Sequence, residues 1–247
     1  MSAAGAQAAE GVARRTLRGL GVPGLLRGVG LGLVIGSASV LLWLAWLLFG
    51  TGIQTSAAQR ALGAEFAAAL HDPAADDGFA LSLRGEESVV LPIGQPGSEV
   101  AAPVPAGSAM AVLRFHRAGS PPPVSDTPLF VVAGVDQESL RRGPGHYPAT
   151  AQPGGAGNFA IAGHRTTYGA PFFDLDDLVA GDEVLVTDRN GTHWTYEIVE
   201  LRVVAADDGS VLGPDPLGTG APTITFTTCH PRFSNAQRLI AFGRLVT

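Results

Sequence analysis

No charged residue stands between Arg27 and Arg60. Inside that gap Val29–Gly50 reads VGLGLVIGSASVLLWLAWLLFG, and a bilayer core is spanned by roughly 20 such residues in one helix. A chain carrying this stretch divides into a part suited to lipid and parts suited to water. Trp43 and Trp46 sit toward its far end, where amphipathic rings favour the interface. Arg14, Arg15, Arg18 and Arg27 precede it against the single acid Glu10, a net of +3. The positive-inside rule therefore expects a cytoplasmic N-terminus, with everything after about residue 50 outside the cell membrane. The rival is a cleaved signal peptide, but its apolar region runs only about 7–15 residues. Thr55–Ala57 offers it a poor cleavage site, and the Arg14–Arg15 pair is a weak twin-arginine signal. Either way the bulk of the chain is exported.

Composition removes several functions. After residue 28 the chain carries a net charge of −9, unsuited to nucleic acid, which needs a basic footprint. All 16 basic residues are arginine, so lysine Schiff bases, Ser–Lys dyads and P-loop lysines are excluded. Hydrophobic residues at 46% against 15% charged are ample for a packed core.

The expected organisation has five parts: a cytoplasmic tail (1–28), a transmembrane helix (29–50), a juxtamembrane Ala-rich helix (51–70), a Pro/Gly/Ala-rich linker (71–108) and a compact domain (109–247). The linker shows little periodicity and reads as an extended spacer, with room for one short strand in SVVLPI. In the last part, AVLRF, LFVVAG, NFAIAG, EVLVT, HWTYEIVEL, RVVAA, TITFTT and RLIAFGRL are eight β-branched or aromatic-rich runs bounded by turns. Asn190–Gly191 is a hairpin signal. DQESLRRG and PFFDLDDLVAGD read as short helical turns. Eight short strands with few helices predict a closed β-barrel or a sandwich.

Cys229 is the only cysteine. Exported proteins favour paired cysteines, so a lone one is either a free reactive thiol or a small buried hydrophobe. It ends the run TITFTTC, and Arg238 opens the next run, so antiparallel pairing brings the two close. His164 follows NFAIAG, just past another strand end. If the three meet, their chemistry is coherent. A thiol is mostly protonated near neutrality and needs a base or a cation beside it. His164 supplies that and can then protonate a leaving amine. Arg238, a permanent cation with several donors, suits an oxyanion or a substrate carbonyl.

TFTTC with Arg238 in the next strand, behind IAGHRTTYGAPFFDLDDL, resembles a sortase. LRRGPGHYPAT, GNFAIAGHRTTYGAPF, TTCHPRF and QRLIAFGRL, four segments in order, are most similar to class E sortases of high-GC Gram-positive bacteria. The resemblance implies a mostly β fold, a closed eight-stranded β-barrel behind a single transmembrane helix and linker. It implies a cysteine transpeptidase that cuts a Leu-Ala-x-Thr-Gly-type sorting signal between Thr and Gly. The acyl group is held as a thioester on Cys229, then passed to a cell-wall peptide amine. By position Cys229 matches the nucleophile, His164 the acid/base and Arg238 the oxyanion or substrate-positioning arginine. Tyr168 occupies the place of a tyrosine associated with the Leu-Ala preference. Phe226 stands where leucine is usual, an apolar exchange expected to face the core.

Thr228 and His230 complete the candidate substrate-binding set. Strand alternation turns His230 away from Cys229 unless the strand has already turned. His71, His116, His146 and His193 lack metal-ligand spacing, and the acids of FDLDDLVAGDE (Asp174, Asp176, Asp177, Asp182, Glu183) lack an EF-hand pattern, so neither metal nor cofactor is expected. The expected partners are secreted proteins with C-terminal sorting signals and a peptidoglycan-precursor amine. Two other readings stay open: an exported cysteine hydrolase using the same site, and a tethered binding domain in which Cys229 only packs.

Overall fold

The computed structural model describes residues 22–46, 50–70 and 104–246. It forms two compact units, Met1–Leu47 and Leu48–Thr247. In the first, helix α1 (Val22–Ala45) exposes its apolar side chains, among them Leu33, Leu41 and Leu42. The 20 residues Leu26–Ala45 are long and apolar enough to cross a membrane, since 1.5 Å per residue makes about 30 Å. This span overlaps the expected 29–50 through Ala45.

The second unit opens with helix α2 (Thr51–Leu70). Its strands are β1 (Ala109–His116), β2 (Leu129–Ala133), β3 (Gly145–His146), β4 (Asn158–Ala162), β5 (Glu183–Asp188), β6 (His193–Ala205), β7 (Thr223–His230) and β8 (Gln237–Leu245). They close a barrel in the order β1-β2-β3-β4-β7-β8-β6-β5. A six-residue helix α3 (Gln137–Arg142) joins β2 to β3. Closure leaves a sheet no edge to aggregate, and it makes the inward residues of every strand one core. Phe115, Phe159, Phe172, Phe226, Ile161 and Ile224 meet there. Phe226 is fully buried, as its apolar exchange predicts.

Two of the eight expected runs are one strand. HWTYEIVEL and RVVAA form the 13-residue β6, which passes through a bulge between Ile198 and Glu200. A bulge bends a strand and shifts its alternation without ending it. The eighth place belongs to β3, two residues too short to carry a pattern. The hairpin at Asn190–Gly191 joins β5 to β6, with Gly191 at φ 78°.

Helix α2 packs on the barrel. Leu62 and Phe66 bury against Ala109, Val112 and Val132, which is why β1 is buried on both faces and shows no clean alternation. The Gln59 amide caps the edge of β2 where β3 falls short. Its Oε1 accepts from Phe130 N–H at 2.8 Å, and its Nε2 donates to Phe130 C=O at 2.9 Å. Glu65 accepts from Ala109 N–H at 3.0 Å, and Thr55 Oγ1 donates to Arg141 C=O at 2.9 Å. The expected linker 71–108, with SVVLPI, lies outside the described residues up to residue 103.

Candidate active site

Strands β4 and β7 run parallel at a constant register, Asn158↔Thr223 through Ala162↔Thr227. Buried Asn158 locks it: Thr223 and Thr225 both donate to its Oδ1, and its Nδ2 reaches Val211 C=O. The ladder's last bond runs from Gly163 N–H to Thr227 C=O at 3.0 Å. Carried two residues past Ala162, the register sets His164 level with Cys229. On the other side β7 pairs antiparallel with β8, where Cys229 faces Arg238 directly. Ile224 and Phe226 point into the core, so by alternation Thr225, Thr227 and Cys229 take the outer face. Arg238 shares the outer side with Ile240 and Phe242, which pack with Val211 outside the barrel. Cys229 and Arg238 are thus paired on the outer face at one end of the barrel, and the β4–β7 register, carried on, points His164 to the same end. Cys229 is a free, half-buried thiol.

Gly163 is required before His164. A Cβ there would come within 2.4 Å of the Phe172 ring, closer than any packed carbon pair. Beyond it the chain turns: Phe172 N–H donates to His164 C=O at 3.2 Å. Tyr168, Gly169 and Ala170 follow one another at φ 50°, 72° and 45°. Left-handed backbone costs a non-glycine residue about 1–2 kcal/mol, and such strain gathers at functional sites. Here it brings the Tyr168 ring onto the His164 ring, with centroids 4.8 Å apart. The Arg141 guanidinium lies 5.7 Å over the Tyr168 centroid, so imidazole, phenol and guanidinium form one stack. His164 Nε2 is buried with no hydrogen-bond partner among the described residues. Burial first, and the Arg141 charge second, hold the ring's pKa below the usual imidazole value. A neutral ring is what a proton acceptor needs.

Arg238 is held near the opening of the β7–β8 turn, Nη1 donating to Asn235 and Gln237 C=O at 3.0 and 2.9 Å. A hollow beside it is lined by Tyr147, Asp207, Leu212, Thr227 and Ile240. Tyr147 Oη and Thr227 Oγ1 lie 3.1 Å apart in its wall. A larger groove between α2, residues 124–130 and 169–171 includes none of the three candidates.

Thr228 and His230 turn the other way from Cys229. Buried Thr228 donates its hydroxyl to Gly163 C=O at 2.8 Å. His230 Nδ1 faces Arg165 Nη1 at 3.1 Å; because arginine only donates, the histidine nitrogen is the acceptor. Three of the acids of FDLDDLVAGDE pair with arginines. Asp176 pairs with Arg165 and Arg232 at 2.7 and 2.9 Å, Asp174 with Arg232 at 3.2 Å, and Asp182 with Arg117 at 2.7 Å. Sequence reading missed Arg141, Arg165 and Tyr147. Nothing in an arginine's local sequence reports that it will stack or be buried.

Residues 123–246, half of the chain, match the family of sortase domains. Sortase SrtE1 of Streptomyces coelicolor is 35% identical over 136 residues, covering 50% of this chain and 38% of that protein. Sortase D of Bacillus subtilis is 34% identical over 129 residues, covering 51% and 61%. The chain thus spans about half the length of the curated relatives it matches. The solved SrtF sortase from Corynebacterium diphtheriae superposes with a TM-score of 0.52 at 27% identity, over 62% of this chain and 91% of that one. With the closed barrel and these similarities together, the chain belongs to the sortase family of cysteine transpeptidases and is class E-like.

Proposed function

We propose that this protein is a membrane-anchored transpeptidase that cleaves a Leu-Ala-x-Thr-Gly-type sorting signal between Thr and Gly. It then joins the released carboxyl end to a cell-wall peptide amine. One observation carries the reading. Cys229 pairs with Arg238 across β7–β8, and the β4–β7 register, extended two residues beyond its last pair Ala162↔Thr227, supports setting His164 level with them. On this reading α1 is a single-pass anchor with its N-terminus in the cytoplasm and the barrel outside.

The steps follow from the residues. His164, neutral near pH 7, takes the Cys229 proton as Sγ attacks the threonine carbonyl carbon. The tetrahedral oxyanion draws on Arg238, whose donors are fixed in number and always charged. Collapse breaks the C–N bond, and the His164 imidazolium gives its proton to the departing glycine amine. The acyl group is now a thioester on Cys229. The acceptor amine attacks that carbonyl and loses a proton to His164, and the C–S bond breaks to return the thiolate. Tyr168 borders the signal peptide, and the hollow at Tyr147, Thr227 and Arg238 holds part of it. Thr228 and His230 contribute from behind, by holding the strand that carries the nucleophile.

The test uses the full chain in mild detergent with a Leu-Ala-x-Thr-Gly peptide and a glycine-based amine, products weighed by mass spectrometry. Cleavage after Thr with joining to the amine, lost in Cys229→Ala, is the expected result. Cleavage that no amine diverts would make it a hydrolase. Inertness toward both Leu-Ala and Leu-Pro signals, with slow alkylation of Cys229, would leave the thiol as packing alone.

A further inference from the structure

The β4–β7 ladder stops one residue short of the site. Its last rung joins Gly163 N–H to Thr227 C=O. In a parallel pair the next rung of that kind joins Arg165 N–H to Cys229 C=O, and no backbone bond takes it among the described residues. The Arg165 side chain does. Its Nη1 donates to Cys229 C=O at 3.5 Å and to His230 Nδ1 at 3.1 Å. Its Nε donates to Phe173 C=O at 3.3 Å, and its Nη2 pairs with Asp176 at 2.7 Å. Only 1% of this side chain is exposed. A buried guanidinium is tolerated only when its donors are met, and here they are met by two segments of chain, Cys229–His230 and the turn at Phe173–Asp176. Arg165 itself follows His164, so its side chain ties the residues after His164 to both.

We propose that Arg165 is the positioning residue of the Cys229–His164 pair, its guanidinium replacing the backbone rung that would otherwise fix their spacing. The inference rests on the assignment of those two residues as a catalytic pair. A planar fork suits this task because it spans two acceptors at fixed separation, which an ammonium does not. Asp176 orients the fork, and Arg232, bonded to the same carboxylate, steadies Asp176. The charged or titratable groups around the pair are Arg238 across from Cys229, Arg141 and Tyr168 against His164, and His230 behind.

The test is independent of turnover: the pH profile of Cys229 alkylation by iodoacetamide, read in the full chain in detergent. His164→Ala is the reference, since it removes the group proposed to accept the thiol's proton. Arg165→Gln is expected to move the profile toward that reference. Where the peptide is turned over, it is expected to lower kcat about 10²-fold with KM little changed, the usual cost of a misplacement of about 1 Å. Arg165→Lys keeps the charge opposite Asp176 but not the fork, so it recovers stability and not the profile. A folded Arg165→Gln whose profile overlays wild type, or an Arg165→Lys that recovers both, overturns the proposal. If Arg165→Gln does not fold, Asp176→Asn is read instead: a smaller shift in the same direction supports the proposal, and overlay with wild type overturns it. A His164→Ala profile identical to wild type would sink the catalytic pair itself, and the proposal with it, whereas overlay of the Arg165 variant alone spares the pair.

Discussion

The two faces of β7 at its last three residues differ in how their polar groups are used. On the inner side, Thr228 and His230 both have partners, and buried Arg165 makes four polar contacts. On the outer side, Cys229 is an unpaired thiol, His164 Nε2 is buried without a hydrogen bond among the described residues, and Arg238 rests on two carbonyls of its own turn. The same strand is satisfied on one face and left with unmet bonding capacity on the other. A buried unsatisfied group costs about 1–3 kcal/mol, and natural folds keep few of them. Of the two buried side-chain atoms without a partner among the described residues, His164 Nε2 lies on the thiol's side and His193 Nε2 at the β5–β6 hairpin. The first fits the proposal that the outer side of β7 is the reacting face, with the satisfied side behind it holding the geometry.

The contrast can be broken from either side. Cys229→Ala is expected to abolish peptide joining in the mass-spectrometric assay while leaving the unfolding midpoint in urea close to wild type. His164→Ala comes next, lowering kcat about 10²–10⁴-fold as general acid–base catalysis is lost, again with an intact fold by circular dichroism. Thr228→Val works on the opposite face. It keeps the shape but strands Gly163 C=O, so unfolding free energy falls by about 1–3 kcal/mol, and activity drops only as far as His164 shifts. Arg141→Gln is the smallest and sharpens the electrostatics. Burial and the Arg141 charge both depress the His164 pKa. Removing the charge raises it part of the way back, so the acidic limb of kcat/KM against pH moves to higher pH. A limb that stays put or moves lower contradicts the stack as a source of that depression.

Sequence carried the barrel class and the Cys229–Arg238 adjacency because each has a local signature. Alternation and β-branched runs mark strands, and a lone cysteine at a strand end with an arginine opening the next is an adjacency fixed by antiparallel pairing. What it lacked is set by distant contacts. β3 is strand only because Val132, Ala133, Ile161 and Ala162 flank it. The length of β6 depends on a bulge against β8. Helix α2 read as an alanine-rich appendage, because nothing in TSAAQRALGAEFAAAL says that Gln59 will cap β2 or that Leu62 and Phe66 will meet Val112 and Val132. Arg165 looked like one of 16 arginines until its burial was seen.

The docking of α2 also changes how the barrel can be cut out of the chain. Ala109 N–H, at the start of β1, is held by Glu65 of α2. The helix that ends at Leu70 and the strand that begins at Ala109 are therefore fastened to one body. A single proteolytic cut between Leu70 and Ala109 would yield two fragments on a denaturing gel that still migrate together in native chromatography. A chain shortened to begin at residue 108 would lose the cap on β2 and the apolar cover on β1, and with them part of the barrel's own wall.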